Sequence, residues 1–266
     1  MGNSGLRGAA DRERISTRPS MFKVDWPKKI DSNRLLTEIS DFFATPKTEV
    51  DLLWRDYRSF SKRQQYTKTL KERKTLNTEE SFILFLMLKM FAPKSIIEVG
   101  TQYGKSTRRM IDMTRKLGMP IKIQCFDIAN LVKHFQPDEA NLVLKDLTDT
   151  FKHDVLDIHP PGLIYLDAHP YKLILNVIQE VLRTPDWRLA IHDCSAILCN
   201  PKMEITKDDP NITSRTGIWE RYCLAAAFGI ADPLDEKLNR QETPTHLMRV
   251  FSTLHGLCVI IPKKAS

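Results

Sequence analysis

Ser95-Ile96-Ile97-Glu98-Val99-Gly100-Thr101-Gln102-Tyr103-Gly104-Lys105-Ser106 is the stretch on which the fold turns. Its apolar start, Ser95 to Val99, predicts a short buried strand. A turn with glycines at 100 and 104 follows, and a helix opens near Ser106. Glycine has no Cβ and tolerates positive φ, so a ligand can approach the backbone closely there. The helix start behind the turn offers free N–H groups to a polar or acidic ligand. Strand, turn and helix together make a cradle for a nucleotide-like cofactor. The spacing is E-x-G-x-x-x-G-x-S, not the G-x-G-x-x-G of dinucleotide binders.

Outside this stretch, the totals bound the answer. At 266 residues the chain holds one large domain or two small ones. A hydrophobic share of 42% and a charged share of 27% are ordinary for a globular protein. The longest apolar run, Phe82 to Leu88, is seven residues and too short to span a bilayer. Residues 1–20 are polar and Arg-rich without an apolar core, which excludes a secretory signal and reads as a flexible leader. Five cysteines, an odd number, point to reduced thiols and a cytoplasmic protein. Cys125 and Cys258 fall in apolar strand-like runs and are expected in the core.

The net charge of +7 is uneven. Arg55 to Lys74 carries eight Lys or Arg against Asp56 and Glu72 alone. Tyr57, Phe60 and Tyr66 are interleaved with them. This segment reads either as a docking surface for nucleic acid or another polyanion, or as a solvated helical face beside the core.

Along the chain, residues 1–33 form the leader and 34–77 a basic helical extension. Asn33–Phe43 has helical apolar spacing. Thr78, with Glu79 and Glu80 behind it, suits a helix start with a hydroxyl cap, running to Phe91 before Ala92-Pro93. An alternation then begins: strand Ser95–Val99, helix Ser106–Leu117, strand Ile121–Phe126, strand Asn141–Leu144, strand Leu163–Leu166, helix Tyr171–Leu182 and strand Leu189–Ile191. Strands separated by helical crossovers predict a doubly wound, mostly parallel α/β sheet. Asn200–Gly217 reads as a long polar loop shaping a pocket. A helix over Ile218–Phe228 and a closing hairpin, Leu247–Ser252 with Leu257–Ile261, complete a sheet of seven strands.

Ligands of open α/β sheets bind outside the carboxyl ends of the strands. Acidic residues gather there: Glu98 in the first strand, Asp127 ending the second, Asp146 after the third, Asp167 ending the fourth and Asp193 ending the fifth. Asp127 lies 23 residues beyond Gly104. A carboxylate there suits the two hydroxyls of a ribose, the alternative being a helix cap.

From Thr78 to Pro262 the chain resembles class I S-adenosylmethionine (SAM) methyltransferases with a Rossmann-like sheet. It is most similar to the metal-dependent O-methyltransferases of the catechol, sugar and cephalosporin-hydroxylase-like groups. The motifs that carry the resemblance are the helix from Thr78-Glu79-Glu80, Ile97 to Ser106, Tyr165-Leu166-Asp167-Ala168-His169, and Ile191-His192-Asp193. The resemblance implies that residues 78–266 form the catalytic domain. It implies that Glu98, Gly100, Thr101 and Gln102 hold the methionine end of SAM, with Gly104 and Ser106 lining the turn. Asp127 would bind the ribose and Asp146 would flank the adenine. It further implies a divalent cation, Mg²⁺, on Asp167 and Asp193. Neighbouring strands lie about 4.8 Å apart, so carboxylates at their ends can share one ion.

The activity implied is methyl transfer to a hydroxyl of a small molecule or sugar. Coordination of the acceptor would lower its pKa, with His169 or His192 as candidate general base. His192-Asp193 stands where relatives carry two hard ligands, and Pro170 where the catechol enzymes carry a lysine. Cys194 and Cys199 with His192 offer a thinner zinc alternative that lacks a fourth ligand. Two other readings stay open: an RNA or polyanion methyltransferase docking through 55–74, and a non-catalytic protein that keeps the fold. A homo-oligomer packed through the basic helices is compatible with all three.

Overall fold

The computed structural model describes residues 30–64, 76–199 and 219–263. The leader up to residue 29, the second half of the basic segment and the polar loop 200–217 lie outside the described residues.

Three helices come first: α1 (Ser32–Phe43), α2 (Lys47–Arg63) and α3 (Thr78–Phe91). Asp31 caps α1, accepting from the N–H groups of Asn33 and Arg34 at 3.0 and 3.1 Å. The cap of α3 is Asn77, not the Thr78 hydroxyl expected from the sequence. Asn77 Oδ1 accepts from Glu80 N at 2.8 Å while the Glu80 carboxylate accepts from Asn77 N at 3.1 Å. That reciprocal pair is a capping box. Asn77 has the extended backbone of a cap residue, Thr78 is already the first residue of the helix, and Asn ranks above Thr as an N-cap.

The strands are β1 (Ile96–Val99), β2 (Ile123–Asp127), β3 (Ala140–Leu144), β4 (Leu163–Leu166), β5 (Arg188–Ile191), β6 (Arg240–Glu242), β7 (His246–Val250) and β8 (Cys258–Pro262). They lie in the order β3-β2-β1-β4-β5-β8-β7-β6. The first five run parallel, and β8 enters antiparallel between β5 and β7. The expected Rossmann-like sheet is present, with eight strands among the described residues rather than seven. The extra one, β6, is a three-residue edge strand with partly exposed polar side chains, too short and polar to show an apolar pattern. Helices α4 (Lys105–Lys116), α5 (Tyr171–Arg183) and α6 (Glu220–Phe228) complete the elements named here.

Side chains of a strand alternate between faces, and this divides the core in two. Ile96, Ile123, Cys125, Leu163, Tyr165 and Ala190 pack with α1 to α4. Ile97, Val99, Phe126, Ile164, Leu166 and Ile191 pack with α5 and α6. Cys125 and Cys258 are fully buried, as expected. The aromatic residues of the basic segment go the same way. Tyr57 and Phe60 are core residues of α2, 0% and 5% exposed, so they are not a surface platform for bases. Tyr57 instead packs on Phe82 and Phe85. Among the described residues no helix is long and apolar enough to cross a membrane.

Candidate functional site

The same alternation positions the site. Glu98 has the parity of Ile96, so it points toward α4 rather than toward the open edge. It is fully buried and accepts from the hydroxyls of Ser106 and Thr107 in the first turn of α4, and from the Cys125 thiol at 3.5 Å. Burial pushes its carboxyl up to about 7, against the pull of those three donors. Glu98 and Ser106 therefore hold the turn from beneath. The resemblance offered Glu98 for the methionine end and Ser106 for lining the turn; period two aims Glu98 inward, where its carboxylate takes the Ser106 hydroxyl.

Above them the turn is tight. Gly100 has φ +87°, and a Cβ there would lie 2.3 Å from the Asp167 carbonyl oxygen. Gly104 has φ +78° and is the N-cap position of α4, which has no side-chain cap. A Cβ on Gly104 would meet the Phe135 ring at 2.7 Å, so that face of the turn is covered by the segment after β2. Thr101 is 3% exposed, and its hydroxyl oxygen is buried with no hydrogen-bond partner among the described residues. Gln102 adopts φ +47°.

Asp127, at the end of β2, reaches across to this turn. Its Oδ2 accepts from the N–H groups of Thr101 at 2.9 Å and Gln102 at 2.7 Å, and Oδ1 accepts from Ala129 N at 3.1 Å. Three of a carboxylate's roughly four lone-pair sites are thus filled. The turn amides converge on an anionic oxygen, but it is that of the chain's own Asp127 rather than of a ligand. Asp146 is exposed and accepts from Thr148 N at 2.9 Å, and the Thr148 hydroxyl together with that N–H holds its carboxyl below the usual range.

The second half of the site lies at the ends of β4 and β5. Asp167, His169 and Asp193 each offer a ligand atom, all within 4.8 Å of one another. Asp193 has φ +61°, an uncommon conformation for a residue with a side chain. His192, Asp193 and His255 form a second such group that shares Asp193. His255 Nδ1 lies 3.0 Å from Asp193 Oδ1, and its ring stacks on His192 at 4.9 Å between centroids. His192 is 3% exposed, with Nδ1 at 3.4 Å from Asp167 and 3.2 Å from Asp193, and Nε2 at 3.3 Å from Glu80. Burial opposes its charge, but Tyr165 and the carboxylates of Asp193 and Asp167 raise its pKa well above the ordinary value. His192, offered by the sequence as a candidate base, is thus buried among three carboxylates, with little of its ring open to solvent.

His169 is different. Its side chain is 46% exposed, and its Nδ1 is 2.8 Å from Oε1 of Glu220, which is only 2% exposed. That hydrogen bond raises the imidazole to about 9, while burial lifts Glu220 to about 7.

Three participants went unrecognised in the sequence: Glu80, Glu220 and His255. Glu80 read only as a first-turn charge, yet it is fully buried and accepts from Thr253 Oγ1 at 2.8 Å and His255 N at 3.0 Å. Thr253 Oγ1 in turn accepts from the N–H groups of Gly256 and Leu257. Glu38 of α1 accepts from Ser252 N and Oγ. Two buried carboxylates of the N-terminal helices therefore fix the β7–β8 turn that carries His255. No cysteine joins either group of ligand atoms among the described residues, and the Cys194 thiol points at backbone carbonyls.

Fold and site together define a Rossmann-like α/β protein with a glycine-turn cradle and a cluster of carboxylates and imidazoles on one carboxyl edge. No protein-family model and no curated protein matches the chain. Among solved structures it is similar to an O-methyltransferase from Bacillus cereus in complex with SAH, at 18% identity and TM-score 0.44, covering 85% of this chain and 96% of that one. It is also similar to the SAH-bound methyltransferase PaMTH1 of Podospora anserina, at 12% identity and TM-score 0.44, covering 80% and 88%. With cmcI-N160 SAH the identity is 19% and the TM-score 0.37. That match covers 47% of this chain and 62% of the other, less than two thirds of its length. These likenesses are distant, and the fold assignment rests on the strand order itself.

Proposed function

We propose that this chain is a SAM-dependent methyltransferase that methylates a hydroxyl of a small molecule or sugar with the help of a divalent cation. The observation that carries the reading is the convergence of the Thr101 and Gln102 amides on Asp127, one strand away from the Asp167–Asp193 pair. A cofactor held at the first would present a reactive group to an acceptor held at the second.

The roles divide as follows. Gly100 lets β1 close on β4, which brings the cradle against Asp167. The Thr101 hydroxyl, buried without a partner among the described residues, is a donor for the polar end of the cofactor, while the amides of 101 and 102 are held by Asp127 and fix the turn. Asp127 keeps one acceptor site for a ribose hydroxyl, and Asp146 borders the exposed edge where the adenine would lie. SAM supplies a methyl group activated by its sulfonium charge. A cation on Asp167 and Asp193 would lower the pKa of a coordinated hydroxyl and fix its direction. The chain's own contribution is alignment of acceptor and methyl group in line.

The test is calorimetric titration of the full chain with SAM and S-adenosylhomocysteine (SAH). Micromolar binding is expected, weakened about tenfold or more in Asp127→Ala, or about 1.4 kcal/mol. No binding of either molecule at millimolar concentration would overturn the reading.

A further inference from the structure

We propose that the Asp167–Asp193 pair is completed by His169, through Nε2, into a three-ligand centre that takes a borderline divalent cation such as Zn²⁺, Co²⁺ or Fe²⁺ rather than Mg²⁺. The inference rests on the cation-assisted reading above and specifies its metal. It also changes the part of His169, which the sequence offered as a base.

Three observations meet here. The ligand atoms of Asp167, His169 and Asp193 lie within 4.8 Å of one another, close enough to converge on one ion. The Nδ1 of His169 is taken by the buried Glu220 at 2.8 Å. A ligating histidine characteristically gives its other ring nitrogen to a carboxylate, which fixes tautomer and ring direction. Glu220 has no other evident use: it is 2% exposed, and its second oxygen has no hydrogen-bond partner among the described residues.

The carboxylates are supported in the same manner. His255 Nδ1 holds Asp193 Oδ1 at 3.0 Å, and the Tyr165 hydroxyl approaches Asp167 Oδ2 at 3.4 Å. His192, 3% exposed, aims Nδ1 at both carboxylates, yet neither of its ring nitrogens has a properly directed hydrogen bond among the described residues. With its ring nitrogens 3.2–3.4 Å from Asp167, Asp193 and Glu80, this imidazole backs the cluster from behind and leaves His169 as the ring on the open side.

The donor set selects the ion. Mg²⁺ is bound through oxygen ligands and water, while imidazole favours zinc and the neighbouring transition metals. One imidazole and two carboxylates leave open positions for water and an acceptor, and His169 is on the open side, 46% exposed in its side chain. The two fully enclosed imidazoles stay behind as hydrogen-bonding support.

The experiment uses the full chain stripped of metal with a chelator and retitrated with Co²⁺, Mn²⁺, Zn²⁺ and Mg²⁺. Affinity is followed by calorimetry and, for Co²⁺, by its visible absorption bands. In His169→Ala the Co²⁺ and Zn²⁺ affinities are expected to fall at least tenfold with a changed Co²⁺ spectrum, while Mg²⁺ binding moves less than twofold. In Glu220→Gln, where the coordinating ring remains, a loss of about tenfold is expected. Thermal unfolding of both variants confirms that they fold. Unchanged Co²⁺ affinity and spectrum in His169→Ala, with binding abolished in Asp193→Ala, would overturn the proposal and leave a two-carboxylate site. No cation binding by the parent chain would remove the cation altogether. SAH titrated into the same metal-free samples separates these results from failure of the methyltransferase reading, which predicts SAH binding in every variant.

Discussion

Replacing Gly100 by alanine isolates the contact on which the geometry of the site depends. The new Cβ would lie 2.3 Å from the Asp167 carbonyl oxygen, 2.7 Å from its carbon and 2.9 Å from Ala168 N. All three are backbone atoms of the segment leaving β4, so no side-chain rotation relieves the clash. Asp167 N also donates to Val99 O at 2.9 Å, which ties the two strand ends together just there. Two penalties add. Holding an L side chain at φ +87° costs about 1–2 kcal/mol. Overpacking against a fixed neighbour costs about 1–3 kcal/mol more. The sum is roughly 2–5 kcal/mol, and at about 2–4 °C per kcal/mol for a chain of this size the melting temperature should drop by roughly 4–20 °C. Gly118→Ala and Gly229→Ala are the controls, because both glycines have positive φ but nothing within 4 Å of the position a Cβ would take. They carry the conformational penalty alone. Scanning calorimetry of the three variants decides. If Gly100→Ala melts no lower than the controls, the close approach of β1 and β4 is not as described, and Asp167 is not positioned by it.

Other outcomes follow from two hydrogen-bonded acids. Glu80→Gln keeps an acceptor for Thr253 and His255 but removes the charge facing His192, and should cost about 3 kcal/mol in urea unfolding; a loss below about 1 kcal/mol would show that His192 does not depend on it. Glu139 is held at about 2 by hydrogen bonds from Arg108, Gln136 N and Arg115. Its folded pKa lies below its unfolded one, so its stabilising contribution is full above the ordinary carboxylate value, about 4.3, and is lost as pH falls toward 2. Glu139→Gln should therefore flatten the stability profile between pH 4.5 and 2.5 (approximate bounds set by those two values) while changing its shape little at higher pH. An unaltered acid limb would refute that assignment.

Much of the architecture could be read from local pattern. The parallel core was legible because β1, β2, β4 and β5 are apolar runs bounded by turn residues and separated by helical spacing. The α3 boundaries were legible because Pro93 and the acidic first turn mark them. The glycine turn was legible because both glycines adopt the positive φ that their spacing implied. The edge strand β6 was not, since three polar residues carry no periodicity and pair only because β7 is already in place. The inward direction of Glu98 was available in principle from alternation along β1, but its fit under α4 depends on where the Ser106 and Thr107 hydroxyls come to rest.

Residues close together in the chain were enough to set the order of strands and helices, the cradle and the row of acids at the carboxyl edge, because spacing and conformational preference act directly over such short distances. Which acids converge, and which histidine remains open to solvent, was settled by the folded arrangement. Glu220 reaches His169 across 51 residues and His255 reaches Asp193 across 62, while Glu80 meets Thr253 across 173. Those contacts exist because the antiparallel β8 inserts beside β5 and because α3 packs near the β7–β8 turn. No local propensity encodes a meeting of that kind. It arises from packing two core layers against one sheet, and the chemistry of the site is assembled at the edge where they close.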